Sequence, residues 1–463
     1  MQAHDAMYIG GEWRPAATTD TLPVTDPATE QVVAHVPAGT AEDVDAAVRA
    51  ARAAFPGWAA TPPVERAARL AALRDVLSAR AEEIAATVTT ELGAPPQLAA
   101  AVHTGLPIAV AGSYAELAAT HPFEERIGNS TVHSEPVGVV AAITPWNYPL
   151  HQIVAKVAPA LAAGCAIVLK PAEDTPLTAQ LFAEAVHEAG FPAGVFNLVT
   201  GVGTVAGQAL AEHPGVDLVS FTGSTAVGRK IGALAGGAVK RVALELGGKS
   251  ANVILPSADL GKAVAVGIAN VMSNSGQTCS AWTRMLVHTE QYDEAVALAA
   301  AAVAKYVPGE RVGPLVNARQ RDRVRGYIER GLAEGARLVA GGPDAPLETG
   351  YYVAPTVFAD VTPDMTIAQE EIFGPVVSII RYEDEADALA IANGTVYGLA
   401  GAVWGEEAEA VAFARRMETG QVDINGGRFN PLAPFGGWKQ SGVGRELGRH
   451  GLAEYLQTKS LQF

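Results

Sequence analysis

Residues 137–143, Val-Gly-Val-Val-Ala-Ala-Ile, are the first of five short apolar runs that decide the fold. The later runs are residues 166–169 (AIVL), 195–199 (VFNLV), 218–221 (LVSF) and 239–244 (VKRVAL), with helix-like stretches between them such as 177–189 and 204–211. Nearly all-apolar strands that alternate with helices predict a parallel sheet covered on both faces. Ligands of such sheets bind beyond the carboxyl ends of the strands. The residues just after each run are therefore the candidates for chemistry.

A second alternating region extends from about residue 250 to residue 433 and predicts a second α/β domain. Its candidate strands are residues 251–255, 284–288, 375–382 and 399–404. The tail of the chain, residues 454–463, predicts a short final strand.

Three local patterns precede the first sheet. Residues 8–13 predict a strand or the edge of a hairpin, and the segment Thr40-Ala-Glu-Asp43 is typical of a helix cap. One longer helix is predicted between Pro62-Pro63 and Gly93. Its apolar stripe consists of Leu70, Leu73, Leu77, Ile84 and Val88.

The composition indicates a large folded protein of two or three domains. The chain has 463 residues, 49% of them hydrophobic, and a net charge of −16. This acidic balance disfavours nucleic acid and anionic membranes as partners. Residues 1–14 lack the pattern of a secretion signal, and the longest apolar stretches are interrupted by Lys, Pro or Gly before membrane-spanning length. Two cysteines provide no disulfide framework, so we expect a soluble cytoplasmic protein.

Cys279 lies among small residues in the segment Ser275-Gly-Gln-Thr-Cys-Ser280, which leaves room for a substrate. A thiolate there would be a strong nucleophile. A free cysteine is also commonly a buried packing residue, and the segment alone leaves both interpretations open. Cys165, at the entry of the apolar run 166–169, is typical of core packing.

Two polar residues follow strands and could assist a nucleophile. Glu245 ends an apolar run before Gly247-Gly248. Its carboxyl group is either solvated in a turn or held in a cleft, where burial raises its pKa and makes it a general base. Asn147 lies between prolines in Thr144-Pro-Trp-Asn-Tyr-Pro149, and its amide is either an oxyanion donor or a turn cap.

Other strand ends are suited to a nucleotide. The segment Phe221-Thr-Gly-Ser-Thr225 leads from a strand into a helix, whose first N–H groups suit a pyrophosphate. The spacing of glycines in this segment is not that of the dinucleotide-binding motif G-x-G-x-x-G. A second segment, Gly201-Val-Gly203, resembles that motif only weakly, and we interpret it as a tight turn into a helix. Lys170 and Glu173 are either a grip on ribose hydroxyls or an ordinary exposed pair.

These five segments occur together in one chain, in the order Asn147, Lys170, Phe221, Glu245 and Cys279. Residues 370–375 (EEIFGP) and 434–442 (PFGGWKQSG) follow them. With these motifs the sequence resembles the aldehyde dehydrogenase superfamily over residues 8–459. The resemblance implies an α/β fold with a split Rossmann-like NAD-binding domain, an α/β catalytic domain and a small β oligomerisation element. The implied bounds are residues 1–117 and 137–247 for the first, 248–453 for the second, and 118–136 with 454–463 for the third. That third element would pair with a neighbouring subunit in a homodimer or homotetramer.

The resemblance implies oxidation of an aldehyde to the carboxylic acid with NAD(P), without a metal. Cys279 would be the nucleophile that carries a thiohemiacetal and then a thioester, and Glu245 the base that activates water. Asn147 and the backbone N–H of Cys279 would form the oxyanion hole. Glu446 would support proton transfer.

The resemblance also implies where a cofactor binds. Lys170 and Glu173 would hold the adenosine ribose, Ser224 the pyrophosphate and Glu371 the nicotinamide ribose, with Phe373 near that end. The further contacts implied are Thr144, Pro145, Trp146, Gly203, Phe221, Gly223, Leu246 and Gly247. Glu173 should bind free ribose hydroxyls and repel a 2′-phosphate, which favours NAD, with NADP as the alternative.

The aldehyde itself stays open. The implied substrate contacts are Tyr148, Gln152, Ser280 and Phe429. Tyr148 and Phe429 would suit an aromatic or medium aliphatic aldehyde, whereas Arg428 would attract an anionic semialdehyde. His151 near the entrance is either a substrate contact or a solvated loop residue.

Other functions stay open beside this one. A CoA-acylating semialdehyde dehydrogenase would pass the thioester to CoA, but its base position is typically not Glu, so Glu245 favours hydrolysis. A non-catalytic binding or structural relative is disfavoured by Cys279, Glu245 and Asn147. Ester hydrolysis at the same thiol would be a minor activity that needs no NAD.

Overall fold

The computed structural model describes residues 3–463. Met1 and Gln2 lie outside the described residues. They are the first two residues of the predicted NAD-binding domain and of the N-terminal segment that lacks the pattern of a secretion signal. The strands are, in chain order, β1 (Ala6–Ile9), β2 (Glu12–Pro15), β3 (Thr21–Asp26), β4 (Gln31–Pro37), β5 (Glu124–Ile127), β6 (Ser130–Pro136), β7 (Val139–Ile143), β8 (Ala166–Lys170), β9 (Phe196–Leu198), β10 (Leu218–Thr222), β11 (Arg241–Glu245), β12 (Ala251–Ile254), β13 (Arg284–His288), β14 (Arg337–Ala340), β15 (Thr356–Ala359), β16 (Val376–Tyr382), β17 (Tyr397–Gly398), β18 (Ala400–Trp404), β19 (Gln421–Ile424), β20 (Trp438–Lys439), β21 (Gly442–Val443) and β22 (Leu456–Gln462).

The α-helices are, in chain order, α1 (Ala41–Ala59), α2 (Pro63–Ala79), α3 (Ala81–Leu92), α4 (Pro96–Leu98), α5 (Leu106–Thr120), α6 (Pro149–Ala163), α7 (Pro176–Glu188), α8 (Gln208–Glu212), α9 (Thr225–Gly237), α10 (Leu260–Met272), α11 (Tyr292–Val303), α12 (Ala318–Ala333), α13 (Thr366–Gln369), α14 (Glu385–Asn393), α15 (Glu407–Ala414) and α16 (Gly448–Glu454). Two π-helical turns, Ala99–Gly105 and Gly203–Gly207, and two 3₁₀ turns, Ser273–Gly276 and Thr289–Gln291, complete the helical segments of residues 3–463.

The first sheet has the order β2-β1-β9-β8-β7-β10-β11-β21. Strands β9 to β11 in this order are parallel, and β1, β2 and β21 pair antiparallel at the edges. Along β8, Ile167 and Leu169 pack into one core, and Ala166 and Val168 pack into another on the opposite face. The predicted parallel sheet with two covered faces is therefore confirmed.

The connections of this sheet change direction at β7. The chain continues from β7 to β8 and β9 on one side and returns to β10 and β11 on the other. Such a reversal opens a crevice at the carboxyl ends of the strands. The segments that follow β7, β10 and β11 all meet at this edge.

The second sheet has the order β14-β15-β16-β13-β12-β18-β19 and confirms the predicted second α/β region. Its strands are parallel except for β14 at one edge. Alternate residues again enter separate cores, as Leu286 does on one face and Met285 on the other.

A three-stranded antiparallel sheet joins β22 to β6 and β5. It unites the two segments, 118–136 and 454–463, that the sequence assigned to one element. One strand crosses the predicted division into domains, because β21 lies within 248–453 and yet pairs with β11 of the first sheet. The division itself and the pairing with a neighbouring subunit stay predictions.

Two local predictions near the N-terminus are confirmed. Strands β1 and β2 form an antiparallel hairpin at the edge of the first sheet. Thr40 caps α1 in a capping box, in which the Asp43 carboxylate accepts from the Thr40 backbone N–H at 2.8 Å.

The single helix predicted between residues 62 and 93 is wrong. The chain forms α2 and α3, which meet at Arg80, whose backbone leaves the helical region (φ −100°, ψ 13°). The Arg80 side chain pairs there with Glu83 and Glu184. The step of seven residues from Leu77 to Ile84 equals two helical turns, so the apolar stripe stays continuous across the break and conceals it. The predicted end at Gly93 is confirmed by its left-handed backbone (φ 80°).

Two further expectations need correction. The strand predicted from residue 239 begins at Arg241, because Val239 is 93% exposed in a left-handed turn (φ 57°). Apolar stretches were expected to end before membrane-spanning length, but Pro96–Thr120 is a continuous helical segment long and apolar enough to pass that test. Gly105 and Pro107 do not interrupt it, since a π-helical turn leads directly into α5. Half of the most apolar stretch of this segment is buried, and a core helix can have the same length and composition.

Candidate active site

Two clefts meet at Cys279. The first, here called the sheet-edge cleft, has a volume of about 600 Å³ and lies at the carboxyl ends of β7, β10 and β11. The second, here called the π-helix cleft, has a volume of about 1200 Å³ and is lined in part by the π-helical turn Ala99–Gly105. Cys279 lines both. A group bound in one cleft and a group bound in the other would therefore meet at this thiol.

The loop that carries Cys279 is held in a strained conformation. Asn274, Ser275 and Gly276 have consecutive positive φ angles of 49°, 57° and 73°. Such conformations cost free energy and persist only where the surroundings fix them. Here the Ser275 hydroxyl donates to the Gly313 carbonyl at 2.8 Å, and the Gln277 side chain accepts from the Val316 N–H at 3.0 Å.

Cys279 is only partly exposed, and its surroundings are acidic. Burial raises the pKa of its thiol, and the nearby Glu371, Glu245 and Glu446 raise it further. The thiol therefore needs a proton acceptor before it can attack. Cys165 is fully buried, with its thiol against the Tyr455 carbonyl, as expected for a core residue.

Asn147 is buried beside the nucleophile loop. Its side-chain amide donates to the Gln277 carbonyl at 3.0 Å, and its backbone carbonyl accepts from Asn274 at 2.8 Å. Asn147 and Cys279 line the same cleft. One amide hydrogen fixes the side chain on the Cys279 loop, and the second is left for a ligand of the cleft.

Glu245 ends β11 and is 4% exposed, and neither of its carboxylate oxygens has a hydrogen-bond partner among residues 3–463. Burial and the neighbouring Glu446 raise its pKa well above the usual value, against the opposing effect of Lys156 and Arg445. The sequence left a solvated turn open, and the burial excludes it. A buried carboxyl group without partners is costly, and clefts with reactive groups are where such groups are found.

Glu446 forms a buried ion pair with Lys156 of α6. It also lines the π-helix cleft. Both members of the pair lie near Glu245, and Glu446 faces the cleft. The pair therefore places two ionisable groups between Glu245 and the π-helix cleft.

The floor of the sheet-edge cleft is the N-terminus of α9. Ser224 is its N-cap, and its hydroxyl accepts from the Val227 N–H at 3.4 Å. Gly223, just before it, has no room for a side chain, because a Cβ atom would collide with the ring of the buried Phe221. Unpaired N–H groups at the start of a helix attract an anion.

Six further predicted residues line the sheet-edge cleft. Glu371 accepts from the Gly248 N–H at 2.9 Å, and burial raises its pKa to about 7. Phe373 packs edge-on against Trp146, with ring centroids 5.4 Å apart. Pro145, Leu246 and Gly247 line the same cleft. A Cβ atom at Gly247 would meet the Glu371 carboxylate at 2.5 Å, so glycine is needed there.

Lys170 and Glu173 lie outside the lining of this cleft, at the end of the adjacent strand β8. The buried Lys170 ammonium donates to the Gly201 carbonyl at 2.9 Å and approaches the half-exposed Glu173 carboxylate at 3.5 Å. The Thr144 N–H bonds the Lys170 carbonyl at 3.1 Å and so links β7 to this group. Gly203 is exposed and starts the π-helical turn into α8, which agrees with the predicted tight turn.

The predicted substrate residues Tyr148, Gln152, Ser280 and Phe429 line the π-helix cleft. The Tyr148 hydroxyl bonds the Thr278 hydroxyl at 2.7 Å. His151 also lines this cleft, in a partly exposed position on α6, and desolvation lowers its pKa, so it is not a solvated loop residue. Arg428 and Asn430 are exposed and lie outside the lining.

Sequence reasoning missed several residues of both clefts. Gln320 and Arg323, on the polar helix α12, line the sheet-edge cleft. Gln421 and Asp423, on β19, line the π-helix cleft. None of them lies in a recognisable motif, and Asp423 could have been noticed only as an acid inside a short strand. In the described part of the chain, no group of three His, Cys, Asp or Glu side chains is placed to hold a metal ion.

Comparisons with known proteins agree with this geometry. Residues 13–461 match the model of the aldehyde dehydrogenase family. The chain is 46% identical to a 3-succinoylsemialdehyde-pyridine dehydrogenase of a Pseudomonas species, over 100% of this chain and 99% of that protein.

Two solved structures are similar over nearly the whole length. One is a cysteine-to-alanine mutant of aldehyde dehydrogenase C from Pseudomonas syringae with NAD⁺ and octanal, at a TM-score of 0.98 and 46% identity, covering 99% of this chain and 96% of that one. The other is an aldehyde dehydrogenase of Mycobacterium tuberculosis with NAD⁺, at a TM-score of 0.98 and 45% identity, covering 100% and 98%. The chain therefore belongs to the aldehyde dehydrogenase family and is an NAD(P)-dependent aldehyde dehydrogenase.

Proposed function

We propose that this enzyme oxidises an aliphatic aldehyde of medium length, or an aromatic one, to the free carboxylic acid with NAD⁺, through a thioester on Cys279. The observation that carries the proposal is the position of Cys279 where the sheet-edge cleft meets the π-helix cleft. The apolar wall of the π-helix cleft, with Leu106, Trp282 and Phe435, suits such a substrate. The octanal complex of the Pseudomonas syringae relative supports it.

The residues of the sheet-edge cleft, together with Lys170 and Glu173 outside its lining, fit a nicotinamide dinucleotide. The N-terminus of α9 at Ser224 suits a pyrophosphate, and the carboxylates of Glu371 and Glu173 suit the hydroxyls of the two riboses. Lys170 holds Glu173 in place. When bound, NAD⁺ supplies the acceptor for the hydride that leaves the aldehyde carbon.

Cys279 forms the first bond. Its sulfur attacks the carbonyl carbon, and the thiol proton passes to the carboxylate of Glu245, whose raised pKa makes it a stronger base than an ordinary carboxylate. The oxygen of the carbonyl group becomes an oxyanion, which accepts hydrogen bonds from the Asn147 amide and the Cys279 backbone N–H. Loss of hydride from the carbon leaves the acyl group as a thioester on Cys279.

Glu245 releases the thiol proton to solvent and then removes a proton from water, and the resulting hydroxide attacks the thioester. The carbon–sulfur bond breaks, the carboxylic acid leaves, and Glu245 returns its proton to the departing thiolate, which restores the thiol. Transfer to CoA instead of water is disfavoured because Glu245 is present and poised as a base. Incubation of the purified enzyme with NAD⁺ and octanal tests the proposal: octanoic acid and reduced nucleotide should form in equal amounts without CoA. A requirement for CoA would contradict it.

We expect Asn147→Ala to lower kcat by about 10²–10³-fold with octanal, because the oxyanion loses a preorganised donor worth roughly 2.7–4 kcal/mol. Asn147→Asp keeps the shape but replaces the donating amide with an acceptor, and we expect an equal or larger loss. Steady-state kinetics of both variants provide the measurement. Full activity of the Asp variant would show that Asn147 has only a structural role.

We expect Glu173→Gln to change the cofactor preference. Removal of the carboxylate should raise kcat/KM for NADP⁺ relative to NAD⁺ on the order of tenfold, because repulsion of the 2′-phosphate is relieved. Glu188→Gln, an exposed position at the end of α7, is the matched control and should leave the ratio unchanged. An unchanged ratio in Glu173→Gln would place cofactor selection elsewhere.

We also propose a homodimer or homotetramer in the cytoplasm. The exposed strand β22, at the edge of its three-stranded sheet, supports an oligomer, because its outer edge is free to pair with another chain. Light scattering of the purified protein distinguishes the two sizes.

A further inference from the structure

The wall of the π-helix cleft includes one face of β19, the edge strand of the second sheet. Side chains alternate along a strand. Val422 and Ile424 pack against the core of the second sheet, and Gln421 and Asp423 line the cleft. The amide of Gln421 donates to the Asp423 carboxylate at 3.0 Å, which fixes the orientation of the acid.

Asp423 brings a partly buried carboxylate to the cleft; burial raises the pKa of this group, and the hydrogen bond from Gln421 acts in the opposite direction. The lining contains no lysine or arginine within residues 3–463. Glu446, the other carboxylate of the lining, is neutralised by its ion pair with Lys156, and His151 is neutral because desolvation lowers its pKa. Asp423 has no cationic partner within 4 Å in the described part of the chain. It is therefore the one lining carboxylate there whose charge is not compensated by a neighbour.

We propose that Asp423 determines substrate specificity by charge, so that the cleft takes uncharged and cationic aldehydes and rejects those that carry a carboxylate. This inference rests on the proposed oxidation of an aldehyde that enters through the π-helix cleft. The inference goes beyond the proposed oxidation, because neither the chemistry at Cys279 nor the apolar wall of the cleft selects an aldehyde by its charge.

The alternative source of charge selection, Arg428, does not oppose Asp423 inside the cleft. Arg428 is exposed to solvent and lies outside the lining. Interactions of exposed charges are screened by water and salt, whereas a partly buried carboxylate interacts with a ligand at lower effective dielectric constant. The anionic semialdehyde considered from the sequence is therefore the substrate class that this cleft disfavours.

Three aldehydes of similar length test the proposal: hexanal, which is neutral, succinic semialdehyde, which is anionic, and γ-trimethylammoniobutyraldehyde, which is cationic. The readout is the ratio of kcat/KM for each charged aldehyde to that for hexanal. In the wild type we expect the anionic aldehyde to be the poorest of the three. In Asp423→Asn the anionic ratio should rise and the cationic ratio should fall, each on the order of tenfold.

Asp344→Asn is the matched control, because it removes the same charge at an exposed loop position. It should leave both ratios unchanged. If Asp423→Asn alters kcat/KM equally for all three aldehydes, the role of Asp423 is structural and the inference is wrong. It is also wrong if the wild type accepts the anionic aldehyde as well as hexanal.

Binding separates this inference from the proposed reaction. The corresponding alcohols, hexanol, γ-hydroxybutyrate and γ-trimethylammoniobutanol, cannot form the adduct, and their dissociation constants for wild type and Asp423→Asn can be measured by NMR titration. An enzyme that oxidises no aldehyde but still binds the anionic alcohol least, with the preference lost in Asp423→Asn, would overturn the proposed function and leave this inference standing. Equal affinity for the three alcohols would overturn the inference.

Discussion

Cys279→Ala should abolish aldehyde oxidation, with kcat/KM reduced on the order of 10⁴-fold or more. The side chain supplies the atom that bonds to the substrate, and removal of a covalent nucleophile costs about as much as removal of the whole catalytic group. Cys279→Ser should be nearly as inactive, because a hydroxyl group is a weaker nucleophile at the same position. Formation of reduced nucleotide with octanal as substrate is the measurement.

Cys165→Ala is the control for this prediction. Its thiol is fully buried in the core of the first sheet, and burial raises its pKa to about 12. The substitution should cost some stability through the cavity it leaves and should not prevent oxidation. Wild-type rates in Cys279→Ala would show that hydride leaves the substrate without a covalent step.

Glu245→Gln should lower steady-state turnover by about 10²–10⁴-fold, because general-base assistance to water is lost. The amide keeps the shape of the carboxylate, so the site should remain assembled. If acylation survives better than hydrolysis, each enzyme forms reduced nucleotide once and then stops. Mass spectrometry of the intact protein should detect the acyl group on Cys279.

The pH profile provides a second readout for Glu245. Because burial and Glu446 raise its pKa, the carboxylate form that accepts protons increases only as pH rises above the usual carboxyl range. Wild-type turnover should therefore increase with pH through that pKa, and Glu245→Gln should lose this dependence. A retained profile would assign the base to another group.

Glu91→Gln is the matched control for a buried glutamate. Glu91 is also fully buried, and its pKa is raised to about 7 by burial. In contrast to Glu245, it accepts from the N–H groups of Leu177 and Thr178, at 2.8 and 3.0 Å. The substitution should lower stability by roughly 1–3 kcal/mol and leave the ratio of acylation to hydrolysis unchanged.

The parts of the site that the sequence predicted are those that follow apolar runs. Asn147 and Ser224 come shortly after a strand and Glu245 ends one, and parallel strands bring their carboxyl ends to one edge. For these residues, their place at the end of a strand in the sequence predicts their place at the edge of the sheet in the fold. The four predicted substrate residues line the π-helix cleft and eight of the predicted cofactor residues line the sheet-edge cleft, whereas Thr144, Lys170, Glu173, Gly203 and Phe221 lie outside both linings.

The parts that the sequence did not predict depend on packing between distant segments. Arg323 lies on a helix whose pattern indicates only an exposed surface, and it reaches the cleft because the helix packs beside Glu371, whose backbone carbonyl accepts from it at 2.6 Å. Asp423 lies on β19, where polar and apolar residues alternate; the alternation predicts two different faces but not which segments the polar face contacts. The break at Arg80 is likewise not visible in the spacing of the apolar residues, and one of the two carboxylates that pair with Arg80, Glu184, belongs to the distant helix α7.

Strand β21 has a consequence for the order in which the enzyme is made. The base Glu245 lies opposite Gly442 in the pairing of β11 with β21, and the Leu246 N–H bonds the Ser441 carbonyl at 2.9 Å. A ribosome adds the intervening residues one at a time, at about 5–20 residues per second. While these residues are being added, β11, which ends in Glu245, has an unpaired edge. Glu446 has not yet formed its ion pair with Lys156. The nascent chain thus contains Cys279 before β11 has paired with β21 and before Glu446 has met Lys156, and with the proposed mechanism we expect catalysis only after the last twentieth of the protein has folded back.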